Sequence, residues 1–192
     1  VWWALRQIHD KGLLYEGHKV VPYCPRCGTA LSSHEVALGY EDVIDPSVYV
    51  RFKVTEGAGP VQPGDDLLVW TTTPWTLVSN AAVAVHPELT YVRAKTGPLE
   101  APVVLAEALV ERVLGGEDVK VLDRFPGAAL DGVRYEPPFS YIPASEYGER
   151  GHTVVLGDFV TADDGTGLVH TAIAFGEDDF RVGERYGVSV VN

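Results

Sequence analysis

The chain has 192 residues, 46% of them hydrophobic and 22% charged, a balance that excludes extensive disorder and fits one globular domain with a short appendage. Lys and Arg number 15 against 27 Asp and Glu, so the net charge is −12 and the surface repels phosphate backbones; a nucleic acid would be touched only locally, or gripped by something outside the chain. No apolar run reaches the ~18 residues of a membrane span and no secretory signal opens the sequence, so a soluble protein with no membrane partner is expected.

Residues 1–9 have helical periodicity without the Ser, Thr, Asp or Asn that caps a helix start, and Lys11-Gly12 closes that helix. Residues 188–192 read as a strand cut short. With no Met in the chain, the sequence reads as a piece of a larger protein. Residues 13–21 lead into the knuckle Cys24-Pro25-Arg26-Cys27-Gly28. Two cysteines at this spacing make half of a four-ligand zinc site rather than a disulfide framework, and they indicate a reducing compartment, the cytoplasm by default. His18, His34 or groups outside these residues would complete the site; the plainer alternative is a pair of free thiols. Residues 1–45 form this small module and residues 46–192 the main domain.

In the main domain, residues 48–54 alternate, with Val48, Val50, Phe52 and Val54 on one face and Tyr49, Arg51 and Lys53 on the other, the pattern of a half-buried strand. Further strands are expected at 67–73, 81–85, 91–95, 102–105, 119–122, 154–156 and 168–171, separated by Gly, Pro and Asp-Asp turn signals. Helical pattern is confined to 107–114, stopping at Gly115-Gly116, and 178–186, ending at Gly187. Many short strands with few helices predict a β-rich α+β fold, barrel or sandwich.

Two segments offer chemistry. Thr71-Thr72-Thr73-Pro74-Trp75-Thr76 follows an apolar strand, with Asn80 beyond it. Thr suits any half-buried strand end, but hydroxyls that both donate and accept also line pockets where an ester and an attacking water are oriented. Trp70 and Trp75 read as core. The run Gly165-Thr166-Gly167-Leu168-Val169-His170 enters a strand, by the plainer reading the second arm of a hairpin. Gly176-Glu177-Asp178-Asp179 follows. A strand-end His and a carboxylate at a helix start have bland readings as a satisfied His and a helix cap, yet together they make a polar pocket wall. A carboxylate there can hold an ammonium group.

Taken in order, Gly12-Leu13-Leu14-Tyr15, the segment from Pro22 through Cys24 and Cys27 to Val36, the Thr-Thr-Thr-Pro-Trp-Thr run and residues 165–180 strongly resemble the isoleucyl-tRNA synthetase family, in its connective-polypeptide insertion. The leucine and valine relatives carry Arg within the Thr-rich segment, where this chain has Thr73. The resemblance implies a barrel-like editing domain that hydrolyses valine from isoleucine tRNA and uses no cofactor for that step. By matching motif, Thr71, Thr72, Thr73, Thr76 and Asn80 would hold the terminal adenosine and the ester. His170 would form the size-limiting wall, Asp179 would bind the substrate's α-ammonium, and Asp178 would be a bystander. The implied partners are the valine-carrying end of isoleucine tRNA and the other domains of the synthetase. Val78 and Ile173 stand where the family commonly has Pro, so each regains a backbone N–H. The synthetase's nucleotide-binding signatures are absent from the segment, so amino-acid attachment is not expected of it. Two other readings belong to different classes: a non-catalytic module that binds the tRNA acceptor end, and a zinc-stabilised structural insert.

Overall fold

A computed structural model describes residues 1–97, 99–115 and 118–191, in two compact units, Val1–Asp42 and Val43–Asn192. Within the first unit, α1 (Trp2–Asp10) has no side-chain cap and is followed by the knuckle, where β1 (Tyr23–Cys24) pairs antiparallel with β2 (Thr29–Ala30). A capping box starts α2 (Ser33–Leu38): the Ser32 hydroxyl accepts from the Glu35 N–H, and the Ser32 N–H donates to the Glu35 carboxylate.

The second unit is built from the alternation legible in the sequence. β3 (Val48–Glu56) buries Phe52 and Val54 and exposes Tyr49, Arg51 and Lys53. It pairs antiparallel with β4 (Asp66–Thr71). β5 (Ala82–Val85) is buried along its whole length and lies between β10 (Thr153–Leu156), parallel, and β11 (Leu168–Thr171), antiparallel. The two-residue β9 (Arg134–Tyr135) bridges β10 to β3. The pairing of Val169 on β11 with Trp70 on β4 closes the circle β11-β5-β10-β9-β3-β4 into a six-strand barrel, and this is the single register pair of that seam. From β4 the sheet also continues outward through β7 (Val103–Ala106), β6 (Thr90–Thr96) and β8 (Val119–Pro126). Between β7 and β8 runs the short α3 (Val110–Leu114).

β5 explains how the barrel acquires a helix on its outside. Val83 and Val85 point into the main core with Phe52, Leu67, Val69, Leu105 and Leu168, while Ala82 and Ala84 face the other way. Their small side chains let Val182 of α4 (Glu177–Tyr186) settle against Val155 and Val160. Three acidic residues in its first turn suit its N-terminal dipole, and Gly187 ends it in the left-handed region.

Two expectations need correction. Residues 188–191 form no strand: Val188 is buried against Tyr147 and Ile173, and its N–H bonds the Gly183 carbonyl, so it closes the end of α4. Asn192, and the Gly116 expected to stop α3, lie outside the described residues. β11 is not the second arm of a hairpin with β10, since its partners are β5 and β4. The residues at the two missing prolines differ in setting: Ile173 is buried, whereas Val78 is exposed.

Candidate functional site

β4 and β11 run parallel and end together, bringing the Thr run and His170 side by side. The chain then folds back from β11 into α4, whose first turn faces the same strand ends. A cavity of about 200 Å³ forms there, lined by Thr71, Thr72, Thr73, Thr76, His170 and Asp179. Trp70, Val169, Ala172 and Phe175 supply apolar lining. Gly165 holds a positive φ of 70° beneath the Trp70 indole, where a Cβ would come within 2.6 Å of the ring. The tight turn entering β11 therefore supports one wall of the cavity.

The Thr run is held by its own hydroxyls. The Thr73 N–H donates to Thr71 Oγ1 at 3.0 Å, and the Thr76 hydroxyl donates to the Thr73 carbonyl at 2.9 Å. Residues Pro74–Ser79 form a 3₁₀ turn, in which side chains three apart share a face. Leu77 and Asn80 accordingly point inward and are buried, while Trp75 and Val78 point outward. Trp75 is 84% exposed, so its expected place in the core is wrong, and Trp70 lines the cavity rather than the interior.

The same geometry removes Asn80 from the cavity lining. Its amide nitrogen lies 3.0 Å from the Ala82 carbonyl and 2.8 Å from His170 Nδ1, and its Oδ1 accepts from the Tyr135 hydroxyl at 2.6 Å. Those contacts occupy both amide hydrogens, leaving none for a bound adenosine. Tyr135 was not a sequence candidate; the only local signal was a buried aromatic on a strand too short to show alternation.

His170 is buried, with Nε2 3.0 Å from Thr76 Oγ1. Burial pushes its pKa down to about 4, so the ring is neutral at pH 7. Asp179 sits at the inner side of the first turn of α4, and burial pushes its pKa up to about 6, partly offset by the Ala172 N–H. Asp178, its neighbour, is exposed and lies 3.7 Å from Arg181. The two carboxylates thus occupy opposite sides of the helix start, and Asp179 alone reaches the cavity.

The cysteines lie in the first unit. The Cys27 N–H points at Cys24 Sγ, 3.4 Å away, and the N–H groups of Cys27 and Arg26 draw the Cys24 thiol below its ordinary pKa. That favours the thiolate a metal requires. Among the described residues, no group of three or more His, Cys, Asp or Glu is placed to hold a metal, so His18 and His34 do not complete a set with the cysteines. Two thiols are two ligands, so the described residues do not by themselves supply the four of a structural zinc centre. No helix among the described residues is long and apolar enough to cross a membrane.

A family model for class I tRNA synthetases (I, L, M and V) matches residues 1–171. Over 192 residues the chain is 56% identical to the isoleucine–tRNA ligase of Thermobifida fusca and 53% identical to that of Streptomyces coelicolor. Over 191 residues it is 50% identical to the isoleucine–tRNA ligase of Thermus thermophilus. In each case all of this chain is covered and 18% of the relative, so the chain spans 18% of the length of the curated relatives it matches. The crystal structure of GlLeuRS-CP1 superposes with a TM-score of 0.57 at 15% identity, covering 76% of this chain and 66% of that one. The editing domain of P. knowlesi cytosolic leucyl-tRNA synthetase superposes with a TM-score of 0.56 at 12% identity, covering 78% and 66%. The β-rich fold with its closed barrel is that of these editing domains.

Proposed function

The chain belongs to the class I tRNA synthetases of the isoleucine, leucine, methionine and valine group, and from that premise we propose that it hydrolyses valine from misacylated isoleucine tRNA. What carries the reading is the meeting of the Thr run, His170 and Asp179 around one small cavity.

Binding alone separates isoleucine from valine by only about 1–3 kcal/mol, the value of one methylene, a magnitude long associated with this very enzyme; a second, smaller site has to destroy the error. The cavity, about 200 Å³, is below the ~300–1,000 Å³ of pockets that enclose whole drug-sized ligands. It suits the amino-acid end of the ester, with the terminal adenosine at the exposed Thr72 and Thr73. Asp179 pairs with the α-ammonium, which every aminoacyl ester carries, so it anchors without choosing. His170 supplies the limiting wall, and its neutrality keeps it from repelling that ammonium.

An aminoacyl ester is already activated, so hydrolysis needs an oriented water and stabilisation of the developing oxyanion more than a strong nucleophile. Thr71, Thr72, Thr73 and Thr76 supply the hydroxyls for that. The acidic surface assigns the grip on tRNA to other parts of the synthetase. Zinc held by Cys24 and Cys27 with further ligands from elsewhere in the synthetase, and residence in the cytoplasm, complete the reading.

The test is release of amino acid from valyl- and isoleucyl-tRNA specific for isoleucine, by this chain and by Asp179→Ala, at concentrations raised until the tRNA is bound. Faster release of valine, lost in Asp179→Ala, is expected. Binding without turnover would instead identify an acceptor-end binding module.

A further inference from the structure

Behind the cavity wall, Tyr135, Asn80 and His170 form a buried hydrogen-bonded chain whose direction follows from donor and acceptor chemistry alone. The Ala82 carbonyl can only accept, so the Asn80 atom beside it, 3.0 Å away, is the amide nitrogen. One of its hydrogens goes to that carbonyl and the other to His170 Nδ1 at 2.8 Å. The amide oxygen is left to accept from Tyr135, whose hydroxyl burial keeps firmly protonated. A His Nδ1 that accepts carries no proton, so the neutral ring holds its proton on Nε2 and donates it to Thr76 Oγ1 at 3.0 Å. The Thr76 hydroxyl hydrogen is already committed to the Thr73 carbonyl. Thr76 therefore turns only a lone pair toward the cavity.

We propose that Tyr135 and Asn80 are positioning residues that fix His170 in its Nε2–H tautomer and so make Thr76 Oγ1 an acceptor, and not a donor, toward whatever occupies the cavity. Taken with the hydrolytic reading on which this last part rests, the acceptor takes a hydrogen bond from the attacking water and so turns a lone pair of the water toward the ester carbon; as that bond forms, the acyl C–O bond to the ribose breaks and the leaving ribose oxygen takes up the proton that the water gives up. It also removes His170 from the list of proton acceptors, because neither ring nitrogen has a lone pair free. Asn80 and Tyr135 are 2% and 3% exposed and neither lines the cavity, so they act through His170 and not on substrate. The His152 Nε2–H donates to the Asn80 carbonyl at 3.1 Å, pinning the backbone from which the amide projects.

Long-range ¹H–¹⁵N spectra of the chain with labelled histidine report directly which ring nitrogen of His170 is protonated, whether or not the chain hydrolyses anything. A bare Nδ1 and a protonated Nε2 are expected at pH 7. Asn80→Asp, which can only accept at Nδ1, is expected to move the proton to Nδ1, and Tyr135→Phe, which frees the amide to turn over, to give a mixture. In valyl-tRNA hydrolysis, Tyr135→Phe is expected to lower kcat about tenfold with KM unchanged, the loss of one positioning hydrogen bond. Protonated Nδ1 in the unaltered chain, or the same tautomer in all three proteins, would overturn the proposal; if Asn80→Asp does not fold, the unaltered chain and Tyr135→Phe decide it. The expected tautomers in a chain that cleaves no ester would uphold the relay and reject the hydrolytic reading.

Discussion

The Asp179 carboxylate folds back over Gly176, so closely that a Cβ on Gly176 would overlap Asp179 Oδ2. Gly176 is the residue before the first turn of α4, and its missing side chain is the space in which the buried carboxylate rests.

The obstacle in Gly176→Ala is the free end of one side chain, which can rotate away, so the fold is spared while Asp179 leaves its place. Expected are a KM for valyl-tRNA raised about tenfold, corresponding to about 1.4 kcal/mol of lost ion pairing, and a melting temperature near that of the unaltered chain. Steady-state kinetics together with thermal unfolding check this; a large fall in melting temperature with KM unchanged would contradict it.

Asp179 gives the stability a pH dependence of definite sign. With its folded pKa raised from 3.8 to about 6, the native state holds a proton that the unfolded chain has released, so its contribution is full below pH 3.8 and is lost as pH rises through about 6. Asp179→Asn is neutral at every pH. It should match the unaltered chain at pH 3.5 and be about 3 kcal/mol more stable at pH 7.5, as read from urea midpoints. His170, shifted the opposite way, contributes equally to both proteins and cancels in the difference. Ammonium binding needs the ionised carboxylate, so KM should also climb as pH falls through about 6.

His170→Ala removes the imidazole from the cavity wall and widens the hollow. Release of isoleucine from correctly charged tRNA should then appear at a rate within about tenfold of that for valine, since the excluded methylene is worth only about 1–3 kcal/mol. Parallel deacylation of the two tRNAs measures it. Unchanged preference for valine would place the size limit elsewhere.

Gly165→Ala sets a side chain against a bulky indole at a backbone angle that favours glycine. Both effects act on the fold, and a destabilisation of about 2–3 kcal/mol is expected from urea unfolding. A midpoint unchanged from the unaltered chain would show that Trp70 can move aside freely.

Cys24→Ser and Cys27→Ser should each abolish stoichiometric zinc in the full-length synthetase, while the 192-residue chain holds the metal weakly with either set of residues. Elemental analysis after dialysis against a chelator distinguishes these outcomes.

Most barrel staves were legible because their side chains alternate: Phe52 and Val54 face inward and Arg51 and Lys53 outward, as the sequence of β3 reads. β9 was illegible, since two residues show no period and its place is set by strands on either side. The Thr run, His170 and Asp179 were found through motif resemblance, and they meet although about a hundred positions separate them along the chain. Trp75 and Asn80 were misread for one shared reason. A threefold turn follows β4, which neither the matching motif nor the apolar bulk of the tryptophan reveals, and it sends the tryptophan to solvent and the asparagine inside. Tyr135 escaped notice because a buried tyrosine is ordinarily packing, and only the Asn80 amide reveals what its hydroxyl does.

The barrel is fastened at Val169 and Trp70 by a solitary rung, and both residues border the hollow. A guest seated in the hollow touches the residues that close the barrel, so occupancy and closure become one equilibrium. Each guest molecule that settles acts as a rivet, so the melting point should climb with its concentration and the amides of that joint should exchange with solvent more slowly than they do in the empty chain.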